Sequence, residues 1–153
     1  MRQIYYWSSS YALWTHTIAV TAPNATAEHN LSTDLIRSGR LDQALPHIER
    51  AVELNPNDLV SRVNLGNAYL THGQLEPALG QFVIVLQHTT DPRLVLPASI
   101  NAGLAYLRMQ DFANADAAYR QALRISPDNP TALIGIAAVE RARAASSVAP
   151  KKP

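Results

Sequence analysis

The feature that most constrains the fold of this chain is an internal repeat. Leu41, Leu45, Ile48 and Val52 are spaced four, three and four residues apart, which places them on one stripe of a helix. The stripe recurs further along the chain and once before it: Leu75, Leu79, Phe82, Leu86; Phe112, Asp116, Tyr119, Leu123; and Trp7, Tyr11, Trp14, Ile18. Four copies in one register, with Asp116 as the polar exception, predict a protein built of similar helical units.

Small residues recur in step with the large ones. Alanine occupies the same helix position in three copies: Ala44, Ala78 and Ala115. A second, upstream helix recurs as residues 64–69 and 101–106, each of which contains a glycine. Small residues at a helix crossing let the two backbones approach, while the large stripe fills the space beside them. The repeating unit is therefore a pair of packed helices.

Turn residues separate these helices. Gly39 and Gly73 stand just after the upstream helix, where a residue of positive φ closes the last turn. Residues 55–58 and 126–130 combine Pro with Asn and Asp, which end one helix and supply an N-cap for the next. The unit reads as helix, turn, helix.

This unit resembles the tetratricopeptide repeat (TPR), a 34-residue pattern of Leu-Gly, Tyr, Ala, an aromatic residue, Ala and Pro at fixed offsets. Residues 59–92 carry the pattern best, with Leu65, Gly66, Tyr69, Gly73, Leu75, Ala78 and Phe82. The resemblance implies an all-α, right-handed α-solenoid of helix–turn–helix units. Its implied parts are an N-terminal half repeat with a single helix (1–24), TPR 1 (25–58), TPR 2 with a lengthened connection (59–95), TPR 3 (96–129), a capping helix (130–145) and a disordered tail (146–153).

Three departures from the pattern bear on local structure. Residues 93–95 are an insertion and Thr90 replaces the usual Pro, so we expect a longer connection there. Pro46 falls within a predicted helix, where an interior proline is costly, so we expect a late start or a bend. Asp116 falls on the buried stripe, and we expect it to reach solvent if its helix is partly exposed.

The N-terminal end of the array has two interpretations. Residues 7–22 match a downstream helix without its upstream partner, and such an end leaves apolar surface uncovered. Tyr5, Tyr6 and Trp14 would lie on that surface, as an aromatic cap or as a face for self-association. The entry segment also resembles the lead-in to the C-terminal TPR arrays of bacterial membrane glycosyltransferase-like proteins. That resemblance implies an accessory, substrate-recruiting part of a larger enzyme.

Composition and motifs exclude several functions. The chain of 153 residues has no cysteine, which rules out disulfides, thiolate metal sites and a cysteine nucleophile. A net charge of +1 with scattered basic residues argues against a nucleic-acid partner, and no apolar run of about 18 residues predicts membrane insertion. No catalytic motif and no metal-binding pair of histidines occurs, so we expect no enzyme activity, metal or cofactor. The compartment stays open between the cytoplasm and, for a fragment, a membrane-tethered extracytoplasmic location.

The resemblance implies a binding surface, because TPR proteins bind partners in a concave groove lined by the upstream helices. At the groove positions this chain carries His29, Val63, Ile100, Asn30, Asn64, Asn101, Asn67, Leu104, Arg37 and Arg108. Asparagine recurs at repeat position 6 and resembles the asparagine ladder of the TPR superhelix in O-linked N-acetylglucosamine transferase, which grips peptide backbone. One amide side chain offers both a donor and an acceptor. The alternative is that asparagine is simply tolerated on a wet face.

The sequence therefore predicts a non-catalytic interaction module that binds a peptide or protein segment in this groove. Asparagines, aliphatic side chains and two flanking arginines suit an extended, partly hydrophobic segment. Chaperone-binding TPR domains place a lysine at position 5 to clamp a C-terminal carboxylate, whereas this chain has His29, Val63 and Ile100 there. A carboxylate clamp is accordingly disfavoured.

Overall fold

The structure, a computed structural model, describes residues 10–148, which form eight α-helices and no strand. The helices are α1 (Ser10–Val20), α2 (Ala25–Arg37), α3 (Leu41–Leu54), α4 (Leu59–Thr71), α5 (Leu75–His88), α6 (Pro92–Arg108), α7 (Phe112–Ile125) and α8 (Pro130–Val148). Three aromatic residues of the predicted N-terminal segment, Tyr5, Tyr6 and Trp7, lie outside the described residues, as does the predicted tail from residue 149 onward. The fold is all-α and of the helical-repeat class, as predicted.

Two compact units make up the chain, the first ending at Ala68 and the second beginning at Tyr69, within α4. In the first unit, α1 packs against α2 and α2 packs against α3. In the second unit, α5, α6 and α7 each pack against the next helix, and α6 also contacts α8. We call α2, α4, α6 and α8 first helices and α1, α3, α5 and α7 second helices, after their place in the 34-residue pattern.

Asparagine and aspartate side chains cap the first helices at their N-termini, which confirms the prediction from the turn residues. The side chain of Asn24 accepts a hydrogen bond from the backbone N–H of residue 27 at 3.1 Å, and Asp91 accepts one from residue 93 at 2.9 Å. Asp58 and Asn129 make equivalent bonds to the first turns of α4 and α8. Such a cap satisfies an N–H group that has no partner inside the helix.

Two expected departures take a different form in the structure. Residues 93–95 do not lengthen the connection but form the first turn of α6, because Asp91 caps the helix and Pro92 suits its first position. The late start expected at Pro46 is wrong, since α3 begins at Leu41 and includes this exposed proline in its second turn. Also, α8 continues to Val148, so the predicted tail begins as helix.

Asp116 remains accessible on the packed stripe. Its side chain is a quarter exposed, and its Oδ2 accepts a hydrogen bond from Nε of Arg120, one turn further along α7, at 2.7 Å. The carboxylate is therefore paired at the helix surface, and its position on the stripe does not bury it.

A residue with positive φ ends each of three first helices. Gly39 and Gly73, with φ of +72° and +74°, adopt the left-handed conformation predicted for them. The equivalent residue after α6 is Gln110, with φ of +62°. In all three turns the residue after the one with positive φ donates its backbone N–H to the carbonyl of the residue five positions before itself, at 2.8 to 2.9 Å. The turn geometry is thus the same even where the glycine is missing.

The core of the second unit is built around Tyr119 of α7. Its ring lies against two glycines, Gly103 of α6 and Gly135 of α8. A Cβ added at Gly103 would lie 2.9 Å from the ring, and one added at Gly135 would lie 2.4 Å from it. Since real Cβ contacts are longer than this, only glycine lets both helices approach the ring. One aromatic side chain therefore sets the spacing of three helices.

Replacing Gln110 with Gly should raise the free energy of unfolding by about 1 kcal/mol, because a left-handed conformation is unfavourable for a residue with a Cβ. Urea denaturation of the two proteins measures this difference. Gly73→Ala is the matched control and should destabilise the protein, since it introduces the same strain at the equivalent turn. A neutral or destabilising Gln110→Gly would contradict this account.

A methyl group at Gly135 should destabilise the protein by about 1 to 3 kcal/mol, because the Tyr119 ring occupies its space. Gly80, an exposed residue inside α5 with nothing within 4 Å of an added Cβ, is the control. Gly80→Ala should stabilise the protein by about 1 kcal/mol through helix propensity alone. Equal effects of the two alanines in thermal unfolding would refute the role of Tyr119.

Candidate functional site

The predicted groove residues all lie on first helices. In the first unit, α2 carries His29, Asn30 and Arg37, and α4 carries Val63, Asn64 and Asn67; in the second unit, α6 carries Ile100, Asn101, Leu104 and Arg108. Their exposure differs widely, although the sequence pattern treats them alike. The structure therefore separates side chains that are open to a ligand from side chains that support the fold.

In the first unit, the polar candidates are accessible and the apolar one is not. His29, Asn30, Asn64 and Asn67 are half-buried. Val63 is only 7% exposed, which disfavours its predicted place on the binding surface. Its side chain is part of the buried core, where an aliphatic residue is most stable. The accessible surface of α2 and α4 at these positions is thus polar.

In the second unit, two candidates contribute to the fold itself. Ile100 is half-buried and packs against the core around Tyr119. Arg108 is exposed at the end of α6, and its Nη1 donates to the backbone carbonyl of Leu70, near the end of α4, at 3.2 Å. Cations near a helix C-terminus interact favourably with its unpaired carbonyls. Arg108 is therefore committed at least partly to holding this carbonyl.

A hydrogen-bonded cluster at the start of α4 supports His29. Nδ1 of His29 lies 2.6 Å from Oγ of Ser61, and that hydroxyl donates to Oδ2 of Asp58 at 2.6 Å. Ser61 lies in the first turn of α4 and is 1% exposed, whereas the side chain of His29 is about a quarter exposed. The bond at Nδ1 fixes the orientation of the imidazole, and part of the ring stays accessible to solvent.

The cluster also determines the charge of Asp58. Partial burial acts to raise the pKa of this carboxyl group, but the bonds from the hydroxyl and the N–H of Ser61, the charge of His29 and the N–H of Val60 outweigh it. The net effect holds the pKa of Asp58 below its ordinary value of 3.8. Asp58 is therefore ionised at neutral pH, and its two oxygens serve as acceptors for α4 and Ser61.

The composition of this cluster, Ser, His and Asp, is that of a hydrolase triad, but its geometry is not. In a triad, the aspartate holds the histidine nitrogen that faces away from the serine. Here Asp58 instead accepts the hydroxyl proton of Ser61, which is buried away from any substrate. The arrangement positions an imidazole and does not activate a nucleophile.

A second histidine pair links α2 to α3. Nδ1 of His47 lies 2.7 Å from Oε2 of the buried Glu28. Glu28 also lines an open cavity of about 200 Å³ whose wall includes Arg50. Arg50 is paired with Glu53 at 2.8 Å, so both charged groups of this wall already have partners within the fold. The pair holds the two helices together and offers the cavity no unpaired charge.

Two other properties concern the whole described part of the chain. Within residues 10–148, no group of three or more His, Asp and Glu side chains is arranged to hold a metal ion. None of the helices in this range is long and apolar enough to cross a membrane.

Sequence reasoning selected His29 but missed the residues that orient it. Asp58 was predicted only as a helix cap, and Ser61 was not selected at all. Asp58 lies in the turn before α4 and Ser61 in the first turn of α4, about 30 residues further along the chain. The available signal was a histidine at position 5, followed by an aspartate that caps the next repeat and by a serine three residues after it.

Comparisons with known proteins agree with the repeat pattern. Two family models, both described as tetratricopeptide repeat, match residues 35–94 and residues 96–129. No curated protein matches the chain in sequence.

Solved structures share the fold. YrrB, a TPR protein with an unusual peptide-binding site, is 31% identical, with a TM-score of 0.72 over 81% of this chain, and this chain spans only 62% of that protein. MamA is 18% identical, with a TM-score of 0.81 over 88% of this chain and 72% of its own. The first TPR of Spaghetti (RPAP3), bound to an HSP90 peptide, is 20% identical, with a TM-score of 0.71 over 83% of this chain and 98% of its own. The two likenesses at lower identity show the fold alone.

Asp58→Asn should destabilise the protein at neutral pH and have little effect in acid. Asparagine also caps helices well, so the variant removes mainly the charge. Because the folded-state pKa lies below the ordinary value, the ionised carboxylate stabilises the fold above about pH 4, and this contribution is lost as the pH falls through the folded value. Denaturation of both proteins at pH 7 and pH 3 tests the expectation. Asp128→Asn, at an exposed turn, is the control, and a pH-independent difference for Asp58→Asn would contradict it.

Proposed function

The chain belongs to the tetratricopeptide-repeat family and is a protein-interaction module, and we propose that it binds an extended peptide segment on its first helices. The observation that carries the proposal is the pair of asparagines on α2 and α4. The amides of Asn30 and Asn64 are half-buried, and neither has a hydrogen-bond partner within residues 10–148. A partly desolvated amide without a partner gains from a ligand that supplies one.

An extended peptide is the ligand that suits these amides. Each side-chain amide can donate to a backbone carbonyl and accept from a backbone N–H of the same peptide. The two asparagines occupy the same position in successive repeats, on α2 and α4. The hydrogen bond between His29 and Ser61 links these two helices. Binding of this kind depends on the peptide backbone and so tolerates different sequences.

His29 adds a directional contact beside Asn30. Since the hydroxyl proton of Ser61 is donated to Asp58, the oxygen of Ser61 accepts the proton on Nδ1 of His29. The other ring nitrogen, Nε2, is then the atom left for a contact on the partly open side. We infer that Nε2 of His29 makes a hydrogen bond with the bound segment.

The remaining candidates favour an internal segment over a free C-terminus. Leu104 of α6 offers a half-buried aliphatic contact, and Arg37 offers an exposed charge at the end of α2. No lysine occurs at position 5 of a repeat, so the chain lacks the residue with which chaperone-binding TPR domains hold a terminal carboxylate. The Spaghetti domain binds an HSP90 peptide, and YrrB has a peptide-binding site. Both support the binding of a peptide by this chain, but neither identifies the peptide.

The second function predicted from the sequence, substrate recruitment within a larger membrane-bound glycosyltransferase, stays a prediction. No contact in the described part of the chain bears on it. It shares with the first proposal the binding of a protein segment on the first helices, and differs only in what the chain is attached to.

Replacing both Asn30 and Asn64 with Ala should weaken peptide binding at least about fivefold, from the usual value of one or two lost hydrogen bonds. Peptides selected from a random phage-displayed library on the wild-type protein serve as probes, and calorimetry measures their affinity. Gln87→Ala, an exposed amide on the second helix α5, is the control and should leave affinity unchanged.

Circular dichroism and thermal melting establish that the double variant is folded. Unchanged affinity in the folded double variant would exclude the asparagines from the binding surface. Selected peptides whose binding requires a free C-terminal carboxylate would exclude the internal-segment mode.

A further inference from the structure

The helix α5 has one face buried and an opposite face that carries few charged residues. The buried face consists of Ala78, Leu79, Phe82 and Val85. The opposite face, which we call the outer face of α5, runs from Glu76 through Gly80 and Ile84 to His88, each one turn after the last. Gly80 is exposed and Ile84 is half-buried. Between its two ends, the outer face contains no charged side chain.

The equivalent helices α3 and α7 are charged on this face. Where α5 has Val83, α3 has Glu49 and α7 has Arg120. Where α5 has Ile84, α3 has Arg50. A helix face that stays in water usually carries polar and charged side chains, and α3 and α7 follow this rule. The outer face of α5 departs from it and is suited to a contact with another helix.

An exposed glycine lies near the middle of the outer face. Gly80 stands inside α5, where glycine lowers the stability of the helix. A Cβ added to it would meet no atom within 4 Å, whereas one added at Gly103 or Gly135 would meet the ring of Tyr119. The packing of the single chain therefore gives no reason for this glycine. Glycine lets a side chain of another molecule approach the helix backbone closely.

We propose that two copies of this chain form a symmetric dimer, in which the outer faces of their α5 helices pack antiparallel to each other. The two-fold axis passes between the helices at the level of residue 82. Gly80 and Ile84 lie at equal distances before and after this level, so Gly80 of one copy faces Ile84 of the other. A large side chain then fills the space that the glycine leaves open, on both sides of the axis.

The ends of the outer face are complementary in the same register. Glu76 and His88 are equally far from residue 82, so the antiparallel pair places the carboxylate of one copy near the imidazole of the other. Nδ1 of His88 donates to the backbone carbonyl of Ile84 at 2.8 Å, which leaves Nε2 for another contact. Within residues 10–148, Glu76 has no hydrogen-bond or ion-pair partner. A carboxylate attracts a histidine ring, which carries a charge in mildly acidic solution.

This self-complementarity identifies a second copy as the partner of the outer face. The large group meets the small one, and the acidic group meets the histidine, when the same face is presented in the reverse direction. Such an isologous contact uses the same surface on both copies, so assembly stops at a dimer. A face as long as one helix of 14 residues, about 21 Å, is smaller than a standard interface, so we expect a weak dimer. Dimerisation is separate from the proposed peptide site, which lies on the first helices.

Sedimentation equilibrium of the full chain in mildly acidic buffer, at concentrations up to about 1 mM, tests the proposal. Ile84→Arg gives α5 the residue that α3 carries at the equivalent position, Arg50, so the helix should tolerate it. The variant should raise the dissociation constant of the dimer at least about tenfold, because a charge replaces the side chain that packs against Gly80. The matched control is Gln121→Arg, which introduces the same residue at the equivalent position of α7 and should leave the dissociation constant unchanged.

Exchanging the charges at the two ends tests the antiparallel register. Glu76→Lys and His88→Glu, each made alone, place like charges opposite each other and should weaken the dimer. The double variant places a lysine opposite a glutamate at both ends, so it should dimerise at least as tightly as the wild type.

Circular dichroism verifies that all variants are folded. A wild-type chain that is monomeric over the whole concentration range would overturn the proposal, and so would a dimer that Ile84→Arg leaves intact. A dimer that Ile84→Arg weakens but that the double charge exchange does not restore would overturn the antiparallel pairing, and with it the proposal.

Discussion

The contact between a large side chain on one helix and small residues on its neighbours is the interaction on which this fold depends. Tyr119 of α7 shows it most fully, since its ring separates Gly103 of α6 from Gly135 of α8. In the first unit, α3 fully buries both a small side chain, Ala44, and a large one, Ile48. The helices pack against helices one or two places away in the chain, so each such contact stabilises one local part of the array.

This local construction leaves surfaces that a closed core would not have. The first helices present polar side chains at positions where a solvent-facing groove is expected in TPR proteins, and within residues 10–148 α8 carries the exposed side chains of Leu133 and Ile134. The polar surface suits an extended peptide, because amides can match its backbone groups.

The candidate site depends on contacts between repeats more than on any single helix. His29 is oriented by Ser61, in the next repeat, and by Asp58, in the turn before it, and the charge on Asp58 is maintained by the helix that it caps. A change in the turn before α4 would therefore affect both the stability of that helix and the orientation of the imidazole. The fold and the proposed recognition therefore depend on the same few hydrogen bonds.

The sequence by itself determined the features that depend on nearby residues. Helix pairs, Asn and Asp caps and the left-handed turns at Gly39 and Gly73 follow from a periodic pattern and from local backbone preferences, which act over a few residues. The start of α6 at Pro92 also follows from a local feature, the cap of Asp91. Only the tertiary structure decided that Gln110 takes the left-handed turn, and that Val63 is buried while its neighbour Asn64 is accessible. Those outcomes depend on which helix covers each face and at what distance, and residues about 30 positions away set both. The repeat pattern of the sequence does not contain that information, because the burial of a side chain depends on both of the helices that pack together.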